Sequence, residues 1–203
     1  AIPEPMCATH DHGSRCILAD IGGTRARFGC LTPDGGIHAC RPFDVADFPS
    51  LPDALRSYCG DAGVRDVADL AIATAAWPHA DGVWRFAHDG CWQFDTRHLA
   101  AYGWRLRCIE NDFTATARGA LAADPAHFST LRAGRGAPFN PRCIVAGVGT
   151  GLGLAYADPG EAGIEVRATF GGHMACPMVE TAHDALVRSA LGFAGADRAA
   201  VAE

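Results

Sequence analysis

The chain has 203 residues, of which 49% are apolar and 20% charged, with a formal net charge of −6. That is enough apolar sequence for one large domain or two small ones and too much for wholesale disorder. The acidic balance without a basic stripe argues against nucleic acid as a partner. No stretch approaches the roughly 18 apolar residues of a membrane span, and residues 1–15 lack a basic start followed by an apolar core. A cytoplasmic protein with no membrane partner is therefore expected.

The nine cysteines are scattered, with no CxxC pair of the kind that a zinc knuckle or disulfide framework needs. Reduced thiols are the simplest reading. All 17 basic residues are arginine, so no lysine is available as a phosphate ligand or as a base.

Residues 1–15 read as a loose polar leader. Residues 16–31 predict two strands around the turn Gly22-Gly23-Thr24, and residues 37–43 a third. Helical spacing covers 51–59. The apolar run 67–74 predicts a buried strand, and 77–86 a hairpin about His79-Ala80-Asp81-Gly82. A short helix is expected over 96–102 with Gly103 as its stop, then a strand at 105–110 and a helix at 113–123. Beyond a Pro-, Gly- and Arg-rich loop at 124–142, strands are expected at 143–148, 152–157 and 165–169. Gly149-Thr150-Gly151 forms the turn between the first two, and a helix follows at 179–191. Strands alternating with helices point to an α/β fold with a mixed sheet.

Three segments carry chemistry. In Asp20-Ile21-Gly22-Gly23-Thr24 an apolar strand ends in a carboxylate and a glycine-rich turn. Such a turn brings backbone N–H groups close to an anion, and the carboxylate can hold a metal ion directly or through water. It is neither a Walker loop nor a GxGxxG turn, and a plain structural hairpin would look the same. In Ile109-Glu110-Asn111-Asp112-Phe113-Thr114 a strand meets a helix, where ligands bind in α/β sheets. From this segment alone Asp112 reads as the helix N-cap; its functional reading is a general base for a substrate hydroxyl. The third segment runs from Ala146 to Gly153, with four glycines and a threonine between apolar strands.

DIGGTRAR, ENDFTA and GVGTGLGLA, in this order, closely resemble the bacterial glucokinase family outside the ROK branch, within the hexokinase–actin–Hsp70-like superfamily. The resemblance spans about residues 16–203. It implies a ribonuclease-H-like (actin-like ATPase) fold, with a small α/β domain at 16–123 and the first part of a larger one at 124–203. It also implies ATP-dependent phosphorylation of glucose at the 6-hydroxyl. Asp20, Gly22, Gly23 and Thr24 match the first phosphate loop, with Asp20 near Mg²⁺; Gly149, Thr150 and Gly151 match the second. Asp112 matches the catalytic base, while Asn111 and His173 match sugar contacts. Asp197 falls where the family has a sugar-binding glutamate one methylene longer. Glucose and ATP are the implied partners, and a homodimer is an open option.

Three departures accompany the match. Phe170 stands where the family motif has glutamate, Arg25 replaces the asparagine after GGT, and family members continue well past Glu203, which leaves the second domain incomplete. A non-catalytic relative that binds sugar or nucleotide is the competing reading, and these departures favour it. An actin-like ATPase without a sugar substrate is a third. Asp20, Asp112 and both glycine loops favour the kinase.

Overall fold

The computed structural model describes residues 16–64, 69–86, 92–132, 142–148, 152–161 and 163–169. The chain divides into two compact units, Ala1–Ala115 and Thr116–Glu203.

The first unit is organised by a five-stranded mixed sheet. β1 (Cys16–Ile21), β2 (Arg25–Leu31) and β3 (Ile37–Asp44) form an antiparallel meander; β4 (Asp69–Thr74) and β8 (Arg105–Asn111) then add parallel strands, giving the order β3-β2-β1-β4-β8. Alternation along the meander separates two faces. Ile17, Ala19 and Ile21 of β1 and Ala26, Phe28 and Cys30 of β2 are buried, whereas Asp20, Arg25 and Arg27 are exposed. β4 lies between two parallel partners and is buried at Asp69, Leu70, Ile72 and Thr74, as expected of an interior strand.

Helix α1 (Leu51–Ala62) covers the apolar face. Ser50 caps it by accepting the Asp53 N–H, Pro52 occupies the first turn, and Gly63 stops it in the left-handed region at φ 66°. Leu51, Ala54, Leu55 and Tyr58 recur at helical spacing and are fully buried. Their rings and branches meet the sheet: the Phe28 centroid lies 5.2 Å from Phe43 and 5.6 Å from Tyr58, and the Tyr58 hydroxyl donates to Cys30 Sγ at 3.3 Å. A bulge between Phe28 and Cys30 bends β3, and it sets Ala39 at φ 51°.

Between β4 and β8 the chain forms a small antiparallel sheet from β5 (Trp77–Pro78), β6 (Val83–Arg85) and β7 (Phe94–Asp95). The 77–86 hairpin expectation holds, with Gly82 at φ 84° in its turn. β7 has no periodicity to betray it, being two residues long. The 96–102 segment is a 3₁₀ rather than an α helix, capped by Asp95 and stopped by Gly103 at φ 86°. Buried Asp69 lies at the start of β4, where it meets Arg105 and, at 3.4 Å, Arg107. These charges sit at the end of the sheet away from the Gly-Gly turn.

The second unit holds an antiparallel sheet of β9 (Cys143–Val148), β10 (Leu152–Gly160) and β11 (Gly163–Ala168), in the order β11-β10-β9. Ala155 and Ala157 are fully buried, whereas Ile144 and Val148 are 69% and 90% exposed. The expected helix at 179–191 lies outside the described residues. No helix among the described residues is long and apolar enough to cross a membrane.

The α1 side of the core should dominate stability in the first unit. Leu55→Ala removes a fully buried branch and should cost about 2–5 kcal/mol in urea unfolding, with the native secondary structure retained.

Candidate functional site

The site is built at the carboxyl ends of β1, β4 and β8. Two rungs of parallel pairing fix it: Asp20 is level with Ala73 and Ala73 with Glu110, while Ile21 is level with Thr74 and Thr74 with Asn111. Strands lie about 4.8 Å apart, so β1 and β8 are separated by roughly 10 Å across β4. Asp20 and Asp112, remote in sequence, are thereby brought to one edge. The floor between them is closed by local bonds. The Ala75 N–H donates to Ile21 O at 3.1 Å, and the Ala76 N–H to buried Thr74 Oγ1 at 3.0 Å.

The first loop links β1 to β2 with Ile21 paired to Ala26. Gly22 donates its N–H to Arg25 O at 2.9 Å. A Cβ on Gly22 would lie 3.3 Å from that same oxygen, so glycine serves close backbone approach here. The Val45 N–H donates to Thr24 O at 3.0 Å, tying the loop to the end of β3. Thr24 is exposed.

Asp20 lies directly across the hairpin from Arg27, whose Nη1 donates to its Oδ2 at 2.8 Å; both side chains are at least half exposed. Arg25 leans the other way and pairs with Asp44 at 3.6 Å. Arg27 belongs to the DIGGTRAR motif and Asp44 does not, and the motif by itself shows neither pairing. The hairpin register was the available signal, since closing the turn at Ile21 and Ala26 sets Arg27 opposite Asp20.

At the head of α2 (Asp112–Ala122) the structure corrects the reading of the cap. Asn111, not Asp112, fills it: Asn111 Oδ1 accepts the Phe113 N–H at 3.0 Å and the Thr114 N–H at 3.2 Å. The physical reason is position. Asn111 is the last strand residue, where an extended backbone lets its side chain fold back over the next two N–H groups. Asp112 takes the first helical position. Its Oδ1 accepts the Phe113 N–H at 2.9 Å and Asn111 Nδ2–H at 3.0 Å.

Electrostatics at Asp112 are mixed. Burial raises its carboxyl above the ordinary aspartate range, the negative charge of Asp20 adds to that rise, and the Phe113 and Asn111 hydrogen bonds oppose it. A carboxylate that retains some basicity and is held by two donors is suited to receiving a proton from a hydroxyl.

For a cation, Asp20 is an exposed carboxylate whose Oδ2 already accepts from Arg27, so an ion such as Mg²⁺, which keeps several waters and takes one or two carboxylates beside substrate phosphates, would meet its other oxygen or meet it through water. No group of three or more His, Cys, Asp or Glu able to hold a metal occurs among the described residues. Gly149, Thr150, Gly151, His173 and Asp197, together with Phe170, lie outside the described residues.

This sheet order, with a Gly-Gly hairpin after β1 and a capped carboxylate after β8, defines the class: an actin-like ATPase fold of the kind used by sugar kinases. A glucokinase from an Antarctic psychrotroph superposes with a TM-score of 0.64 at 29% identity, over 89% of this chain and 57% of that one. The Glucokinase family model matches residues 17–194, and the chain belongs to the glucokinase family. It is 37% identical over 160 residues to the glucokinase of Chromohalobacter salexigens, covering 78% of this chain and 49% of that protein. It is also 32% identical over 196 residues to the glucokinase of Marinobacter nauticus, covering 94% and 59%. The chain thus spans about half the length of these curated relatives.

The shared duty of Asn111 is open to direct measurement. Asn111→Ala should lower stability by about 0.5–2 kcal/mol in urea unfolding through loss of the cap, whereas Asn111→Asp, which restores an acceptor, should recover most of it.

Proposed function

We propose that this chain carries the sugar and first phosphate-loop half of an ATP-dependent glucokinase, which transfers the γ-phosphoryl group to the 6-hydroxyl of D-glucose. The observation that carries the reading is Asp112. It stands at the helix head whose cap Asn111 fills, it feels the charge of Asp20, and burial makes it more basic.

In this mechanism Asp112 accepts the proton of the 6-hydroxyl as that oxygen attacks the γ-phosphorus. The new O–P bond forms, the bond to the bridging β,γ oxygen breaks, and ADP departs with that electron pair. Phosphoryl transfer asks for positioning and charge compensation rather than covalent work. Gly22, Gly23 and Thr24 would cradle donor phosphates, and Gly149, Thr150 and Gly151, matching the family's second phosphate loop, would take the same kind of group. Asp20 is the residue that would hold Mg²⁺, which when bound supplies charge compensation at the phosphates. Asn111, His173 and Asp197 would receive sugar hydroxyls. The family's glucokinase relatives support glucose as the substrate, and the cytoplasm is the compartment this reading implies.

A pH dependence follows from the base. Asp112 works only when ionised, so turnover should rise with pH through its raised pKa. Folding carries the opposite sign. A carboxyl raised in the folded state makes the protein less stable as pH climbs from the ordinary aspartate value through the raised one.

Asp112→Asn separates the two effects. Asparagine can still accept the Phe113 N–H, so the fold should hold and Tm at neutral pH should rise. Glucose-dependent ADP formation should fall by about 10²–10⁴-fold. Equal turnover in both proteins would remove Asp112 from the mechanism. Glucose binding by calorimetry without turnover in the wild type would point instead to the non-catalytic relative.

A further inference from the structure

The Gly22-Gly23-Thr24 loop is held by a residue outside its motif. β3 ends at Asp44, and a single 3₁₀ turn, Val45–Asp47, follows. Asp44 occupies the N-cap position of that turn, yet its side chain makes no cap bond; it faces Arg25, its register partner on β2, at 3.6 Å. The next residue, Val45, buries its side chain in the core at 3% exposure and donates its N–H to Thr24 O at 3.0 Å. The loop's far end is thus clamped from β3, while its near end is closed by the Gly22 N–H on Arg25 O.

We propose that Val45 is a positioning residue: its backbone N–H holds the Thr24 carbonyl so that the loop keeps an anion-receiving shape before any phosphate arrives. Asp44 reinforces the clamp through Arg25. The physical basis is preorganisation. A glycine-rich loop has many conformations open to it, and an external tie removes that freedom before binding rather than during it. This inference rests on the reading of the loop as a phosphate cradle.

The backbone permits a surgical test. Asp44 has φ −81° and ψ 129°, the extended region that a residue before proline adopts, and Val45 is the first residue of its turn, where proline fits. Val45→Pro therefore deletes the N–H to Thr24 while the turn survives. Val45→Ala keeps the N–H and removes core volume instead.

Hydrogen exchange at the Gly22 amide, which donates to Arg25 O, should accelerate about tenfold in Val45→Pro, the factor that 1.4 kcal/mol represents, and should stay near wild type in Val45→Ala. In a glucose-dependent ADP assay, Val45→Pro should raise KM for ATP by a similar factor and leave KM for glucose unchanged, while Val45→Ala should lower Tm without moving either KM. Loop exchange that is the same in the two variants overturns the proposal. Faster exchange with an unmoved KM for ATP also overturns it. A wild-type chain that shows no glucose-dependent turnover sinks the kinase reading, and the exchange comparison alone then decides whether Val45 braces the loop.

Discussion

Parallel pairing of β4 between β1 and β8 is the constraint on which everything else at the site depends. Neither flanking strand touches the other. Each takes its register from β4, through Asp20 level with Ala73 and Glu110, and Ile21 level with Thr74 and Asn111. A slip of one residue on either side would turn Asp20 toward the core or carry Asn111 off the strand end. The register is protected by the buried run Leu70, Ile72 and Thr74, whose side chains fit only one alternation. Thr74 adds a polar lock at the last rung by accepting the Ala76 N–H.

Around this frame the site charges are arranged in neighbouring pairs. Asp20 answers to Arg27, Arg25 to Asp44, and Asp112 to Asn111 and the Phe113 N–H. The exposed ion pairs contribute little to stability individually. Their value is directional: each steers a long or acidic side chain at the rim of the loop. Asn111 does two tasks with one amide, since its oxygen caps α2 and its nitrogen serves Asp112. Helix initiation and the placement of the Asp112 carboxylate consequently depend on one side chain.

Much of this was legible in the sequence because local rules govern it. The Gly-Gly turn, the helical spacing over 51–59 and Gly103 as a helix stop mark their elements without tertiary help. The family was legible for a different reason, because three motifs in a fixed order constrain one another. What stayed hidden depends on pairing. Arg27 opposite Asp20, Asp44 opposite Arg25 and Val45 beneath Thr24 are consequences of hairpin register and of a bulge at Gly29, neither of which has a local signature. The cap at α2 was misjudged because aspartate and asparagine are equal candidates on propensity, and only the strand's last extended residue decides between them. The two-residue β7 carries no periodicity at all.

The ion pairs of the described structure draw their permanent cations from arginine alone, at residues 25, 27, 41, 56, 85, 97, 105, 107, 142 and 167. The chain has no side-chain amine anywhere in its 203 residues. A guanidinium group stays protonated where a lysine amine would begin to lose its proton, so the charge pattern of these ion pairs persists far into the alkaline range.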